Sequence, residues 1–299
     1  TQAAKVEVSA GLYVEAISSV DLVGAHWSAE FLVWFSWQGA ADLVDNFTIV
    51  DGVIDDKALV EKVDVDVRHF ARYRVRTTIA KHFDPTRFPL DEHLLTIAIE
   101  LPTYLAHQVV FVPDQAATAV SSRAVVNGYR VGEPMLRSIL HAYKTSLGSP
   151  GISPDYRTTY SQLIMGVKLT RPNNGVLLGL FYSLYVGIIL CLFGLLLKTA
   201  SECMGMGLTA VFIFIWNGGA LEAMVPAGDQ RTLVGIMSMM CYAVLTFCML
   251  QAVISQHRFL GVDKPEAQTK GRWFSWVTFV FVGTSALILN ASIAMGWIG

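Results

Sequence analysis

Cysteine is missing from the first 190 residues: Cys191, Cys203, Cys241 and Cys248 all fall in apolar blocks of the C-terminal part. No disulfide holds the N-terminal part, and cysteine usage is silent on the redox compartment. Charge is scarce as well. Only 15% of the 299 residues are charged and 53% are hydrophobic, with mean hydropathy +0.47, against about 25% charged in a typical soluble domain. The shortage is uneven. Charges are frequent up to about Arg171 and nearly vanish from Val176 onward except between apolar blocks, which divides the chain into 1–171 and 172–299. A net charge of −2 leaves no basic stripe and excludes nucleic acid as a partner. Also missing are a Walker loop, a dinucleotide glycine motif, Gly-x-Ser-x-Gly and His-Glu-x-x-His, and the seven histidines lack metal-ligand spacing. An enzyme reading therefore has no catalytic constellation to stand on. Thr1 opens into a strand pattern without a signal peptide, which leaves open a cleaved signal or further sequence upstream.

What is present in the second part is apolar length. Four stretches, 176–197, 203–225, 233–255 and 273–298, are long enough to cross a hydrocarbon core, which takes roughly 20 helical residues. Their short links predict antiparallel neighbours in an up-down four-helix transmembrane bundle. Trp273, Trp276 and Trp297 stand at the two ends of the last stretch, where indoles favour an interface. Lys198 in the first link and Arg258, Lys264, Lys270 and Arg272 in the third put those links inside and the N-terminal part outside.

The second stretch has a face of its own. At about 100° per residue one stripe collects Glu202, Gly205, Thr209, Phe212, Trp216, Gly219, Ala220 and Ala223. An acid, small residues, a hydroxyl and two bulky aromatics are poor chemistry for lipid. Glu202 reads either as an interfacial acid or as one member of an acidic ring at the mouth of a pore. Phe212 and Trp216 read as bundle core or as apolar constrictions. Glu222 lies on the opposite side, as a contact residue.

In 1–171 the dominant period is two. Val6 to Ala16 and Trp27 to Trp37 alternate apolar and other residues, as do 73–79, 95–99 and 163–169. Such strands, broken by Gly, Pro, Asp and Asn turns, predict an all-β, immunoglobulin-like antiparallel sandwich of about ten strands. Asn46-Phe47-Thr48 forms a glycosylation sequon of a kind that arises often by chance. The acids Asp42, Asp45, Asp51, Asp55, Asp56, Asp64 and Asp66 read as a solvated surface or as hard-oxygen donors for calcium acting as a modulator.

Phe83-Asp84-Pro85-Thr86-Arg87-Phe88-Pro89-Leu90-Asp91 resembles the signature loop of the Cys-loop receptor superfamily, whose core is Phe-Pro-x-Asp. Both flanking cysteines are lacking, so the chain resembles the prokaryotic branch of pentameric ligand-gated ion channels. Ile17–Asp21, Trp34-Phe35-Ser36-Trp37, Gly128-Tyr129-Arg130-Val131, Arg171-Pro172 and the gapless segment Glu202–Pro226 resemble further family motifs in the same order. The first helix lacks the family's internal proline, and Phe212 and Trp216 are larger than the family's residues there.

The resemblance implies a homopentameric ring in a cell membrane, multi-pass, with an extracytoplasmic N-terminal domain. Its partners would be four identical subunits, membrane lipid, permeant cations and a small agonist bound between neighbouring domains. The stripe above would line a cation-selective pore. Asp21, Asp91, Arg171 and Pro226 match positions that couple ligand binding to gating. Trp34, Tyr104, Tyr156 and Tyr160 match the region of the aromatic agonist box, and each reads equally well as packing. The competing reading is a membrane-anchored extracytoplasmic receptor or binding protein that oligomerises without conducting. A transporter would need paired inverted repeats, which the four single stretches do not form.

Overall fold

Period-two alternation becomes alternate burial. In β2 (His26–Gln38) Trp27, Ala29, Phe31, Val33, Phe35 and Trp37 are buried while their neighbours are not. A computed structural model describes residues 5–88, 90–145, 158–171, 173–194, 196, 200–222, 232–255, 257 and 265–294. The other strands are β1 (Val6–Asp21), β3 (Thr48–Ile49), β4 (Gly52–Val65), β5 (Arg68–Ala80), β6 (Glu92–Glu100), β7 (Val109–Pro113), β8 (Ala119–Val120), β9 (Arg130–Ala142) and β10 (Thr159–Thr170). One sheet runs β4-β5-β2-β1-β7, with β8 also paired to β1, and the other runs β3-β6-β10-β9. Pairing is antiparallel except that β7 and β8 lie parallel to β1.

The two sheets share one core, in which Leu12, Phe31, Phe35 and Val75 meet Leu95, Ile97, Leu136, Leu163 and Met165. Full burial of each such side chain contributes about 1.5–3 kcal/mol. Turn chemistry sets the ends. Between β1 and β2, Asp21 Oδ1 accepts from Gly24 N at 2.8 Å, and Ala25 takes a left-handed φ of 53°. Asp66, between β4 and β5, also has φ 53°.

The helices are α1 (Asn173–Gly194), α2 (Ala200–Glu222), α3 (Leu233–Ser255) and α4 (Pro265–Ala294). Phe214 of α2 is fully buried, its ring 5.5 Å from that of Tyr242 in α3, whose hydroxyl donates to Phe214 O at 3.2 Å. Gly187 of α1 admits the same ring, since a Cβ there would stand 3.3 Å from it. Gln251 Nε2 ties α3 to Phe274 O of α4 at 3.4 Å.

Among the described residues, no helix is long and apolar enough to cross a membrane. This finding overturns the expected architecture of an extracellular β-sandwich above a four-helix transmembrane bundle. It equally overturns the multi-pass cell-membrane placement, the inside-outside orientation and the description as a transmembrane channel. The physical reason lies in composition and extent. Glu202, Thr209, Asn217 and four glycines interrupt α2, and α4 opens with Glu266, Gln268, Thr269, Lys270 and Arg272. The ends of three expected stretches, at 195 and 197, 223–225 and 295–298, lie outside the described residues.

The chain forms two compact units: the described residues up to Phe83 with Glu92–Thr170, and Asp84–Asp91 with the described residues from Arg171 on. The Phe-Pro-x-Asp loop thus belongs with the helices, apart from its first residue.

Candidate functional site

The last pair of the β6–β10 ladder is Glu92 with Thr170, and the next residue on each strand is Asp91 and Arg171. Arg171 Nε donates to Asp91 Oδ1 at 2.6 Å, with side-chain exposures of only 12% and 2%. The Phe88 ring lies 4.9 Å from the same guanidinium, which adds attraction to the ring face. The turn that delivers Phe88 and Asp91 is built locally. Asp84 Oδ1 accepts from Thr86 N at 3.0 Å and from its hydroxyl at 2.7 Å, and Phe88 N donates to Pro85 O at 3.0 Å. Of the four expected coupling residues, Asp91 and Arg171 are therefore brought together. Asp21 caps its own turn through Gly24, and Pro226 lies outside the described residues.

A second constellation surrounds Glu100, buried at 6% exposure at the end of β6. Gln162 Nε2, its cross-strand partner, donates to Glu100 Oε2 at 2.7 Å, and the Tyr143 hydroxyl donates to the same oxygen at 3.3 Å. Tyr143 meets Tyr160 edge-on at 5.7 Å and His141 at 4.6 Å. Burial, followed by the Glu100 charge, pushes both tyrosine hydroxyls above their ordinary pKa. Glu100 has no ion pair among the described residues. A buried carboxylate held by neutral donors only, with two tyrosine rings close by, is chemistry that an organic cation would complete.

Of Trp34, Tyr104 and Tyr160, the aromatic candidates among the described residues, Tyr160 belongs to this cluster. Trp34 Nε1 donates to Asp114 Oδ2 at 3.2 Å, and its ring fills the space above Gly11. Tyr104 packs against the core, and Tyr156 lies outside the described residues. Glu100, Tyr143 and Gln162 were missed by sequence reading. The only signal was a break in alternation, since Ile99 and Glu100 are both buried.

Three of the aspartates proposed for calcium have separate partners. Asp45 takes the Tyr73 hydroxyl at 2.7 Å and Lys62 at 3.5 Å, Asp55 takes the Thr78 hydroxyl, and Asp64 takes His69 Nδ1 at 2.6 Å. Asp51 and Asp66 occupy left-handed turn positions, while Asp42 and Asp56 are exposed. Among the described residues, no group of three or more His, Cys, Asp or Glu side chains is placed to hold a metal ion.

On α2, Glu202, Gly205, Thr209, Phe212, Trp216 and Gly219 are all exposed, Phe212 at 65% and Trp216 at 86%. Ala210 and Phe214, on the opposite side, are fully buried. The Thr209 hydroxyl donates back to Gly205 O at 3.0 Å. The side chain of Ala220 and all of Ala223 lie outside the described residues.

No family model matches the sequence, and no curated protein matches it. The likeness to pentameric ligand-gated channels rests on the motifs quoted above.

Proposed function

We propose that the chain is a subunit of a ligand-gated, cation-selective pentamer of the kind its motifs resemble. In this reading an organic cation binds beside Glu100, Tyr143 and Tyr160. The Arg171–Asp91 pair holds the Phe88 turn in one of two arrangements, and α2 faces an axis shared with sister copies. Charge-assisted pairs of this kind can rearrange between two states. The described helices supply no membrane crossing, so the axis is proposed within the assembly alone.

The observation that carries the reading is the α2 stripe, in which an acid, a hydroxyl and two aromatics stand exposed on one face of a helix packed on its other side. Five copies of Glu202 around one axis would attract cations and repel anions. The edge strands support assembly as well. β4 exposes Asp55, Asp56, Glu61 and Asp64 against Lys62, among Leu59, Val60 and Val63, whereas β9 exposes Arg130, Arg137 and His141 against Glu133, among Met135, Ile139 and Leu140, so the balance of charge is acidic on one edge and basic on the other. Opposite charges on two different edges suit a head-to-tail contact, the kind that closes rings.

Gly205→Cys tests this reading, because an added Cβ there meets nothing within 4 Å. Each introduced thiol can form one disulfide, so oxidation should give crosslinked dimers, absent from the parent chain, from an assembly whose native mass is that of five subunits, and tetramethylammonium should change the rate of crosslinking. Monomer alone, with or without the cation, removes the proposal.

A second reading is an oligomeric receptor without cation selectivity, favoured by the size of Phe212 and Trp216 on the stripe. Barium binding by the assembled protein separates the two. Glu202→Gln should abolish it in the first reading and leave it unchanged in the second.

A further inference from the structure

Where β1 begins, β2 ends and β5 begins, the outward face of the larger sheet carries a trough of about 670 Å³, within the range of small-ligand sites. Its floor and walls are Ser9, Ser36, Trp37 and Val112, and its rim carries Lys5, Glu7, Gln38 and Arg68. Register explains the convergence. Ser9 stands directly opposite Ser36, and Gln38 directly opposite Arg68, so two hydroxyls, an amide and a guanidinium fall on adjacent positions of one sheet. Trp37 is buried on the inner side, its Nε1 donating to Ala40 O at 2.7 Å, which stiffens the β2 end that presents Ser36 and Gln38.

Two cations rim this trough, and neither Lys5 nor Arg68 makes an ion pair among the described residues. Other basic residues of this sheet are matched: Arg72 with Glu61 at 2.7 Å, Arg74 with Glu15 at 3.2 Å and Arg76 with Glu30 at 3.4 Å. Along β5 the guanidinium at its first residue is thus the exception, and it is the one beside the trough.

We propose that this trough is a binding site for a small oxyanion, a carboxylate or a phosphate group, distinct from the Glu100 cluster and independent of its role. The Arg68 fork supplies paired donors suited to planar or tetrahedral oxyanions, Lys5 supplies a point charge, and the Ser9 and Ser36 hydroxyls and Gln38 amide complete the donor set. Glu7 is the one acid of the rim. It weakens the field and disfavours simple anions lacking a donor on that side.

Calorimetry on the full chain, with inorganic phosphate and with acetate at constant ionic strength set by chloride, tests the site. Saturable binding is expected. Arg68→Gln should weaken it at least tenfold, Lys5→Gln severalfold, and Glu7→Gln should tighten it, each at an unchanged unfolding midpoint because all three side chains are exposed. Preference for phosphate over acetate would assign a phosphate-bearing ligand, and the reverse a carboxylate. Heats that do not saturate with either anion, or equal affinity in parent and Arg68→Gln, overturn the proposal.

Discussion

Arg171 and Asp91 meet at 2.6 Å, 80 positions apart in the chain, each one step beyond the last paired residues of β6 and β10. Removing one partner would leave the other charge largely out of water. Asp91→Ala or Arg171→Ala should therefore cost about 3–5 kcal/mol, while Asp91→Leu with Arg171→Met should recover most of it. Urea midpoints of the four proteins check this. A loss in the double variant as large as the sum of the two single losses would mean that the pair has no mutual dependence.

Tyr73 predicts an alkaline weakness. Burial, and then its hydrogen bond to Asp45, raise its pKa above the ordinary tyrosine value. A group whose folded pKa is raised contributes stability fully present below about pH 10, and this is lost as pH climbs toward the folded value, because the unfolded chain ionises first. Tyr73→Phe should cost about 1–2 kcal/mol near neutrality and make the decline above about pH 10 shallower. Tyr143 and Tyr160, shifted in the same direction, keep part of that slope in the variant. Unfolding midpoints between pH 7 and pH 11 measure both effects.

Gly11 is required by Trp34. A Cβ there would run into the indole and lie 3.1 Å from Thr118 Oγ1. Gly11→Ala should cost about 1–3 kcal/mol through overpacking, and Trp34→Leu should suppress the effect in the double variant. Thermal unfolding of the single and double variants reads it out.

Ala25 sits at φ 53°, a conformation that strains any residue bearing a Cβ. Ala25→Gly should raise stability by about 0.5–1 kcal/mol, despite the greater freedom of the unfolded chain. The shift is expected in the denaturant midpoint with an unchanged slope.

How much could be read beforehand differs from element to element. The strands carrying Trp27–Trp37 and Leu163–Leu169 were legible because a half-buried strand writes its burial directly as alternation. The α3 bounds, 233–255, were legible as an apolar block between polar links. That same block was misjudged as a membrane span, because apolar length alone does not state what surrounds a helix. Trp34, off the buried face of its strand, reads equally as packing or as ligand contact; the notch at Gly11 and the carboxylate of Asp114 that hold its ring are remote in the chain and leave no local pattern.

The sequence by itself determined the strand faces, the apolar helical blocks and the Phe83–Asp91 turn, because each depends on residues within a few positions of one another. Only the tertiary structure decided that Glu100 is enclosed by Tyr143, Tyr160 and Gln162, that Arg171 chooses Asp91 while Asp21 caps its own turn, and that Arg68 stands beside Ser9 and Ser36. Those choices depend on the registers of β2 with β1 and β5 and of β10 with β6 and β9. A shift of one residue in pairing would turn every one of those side chains to the other face, and no local pattern records the pairing partner.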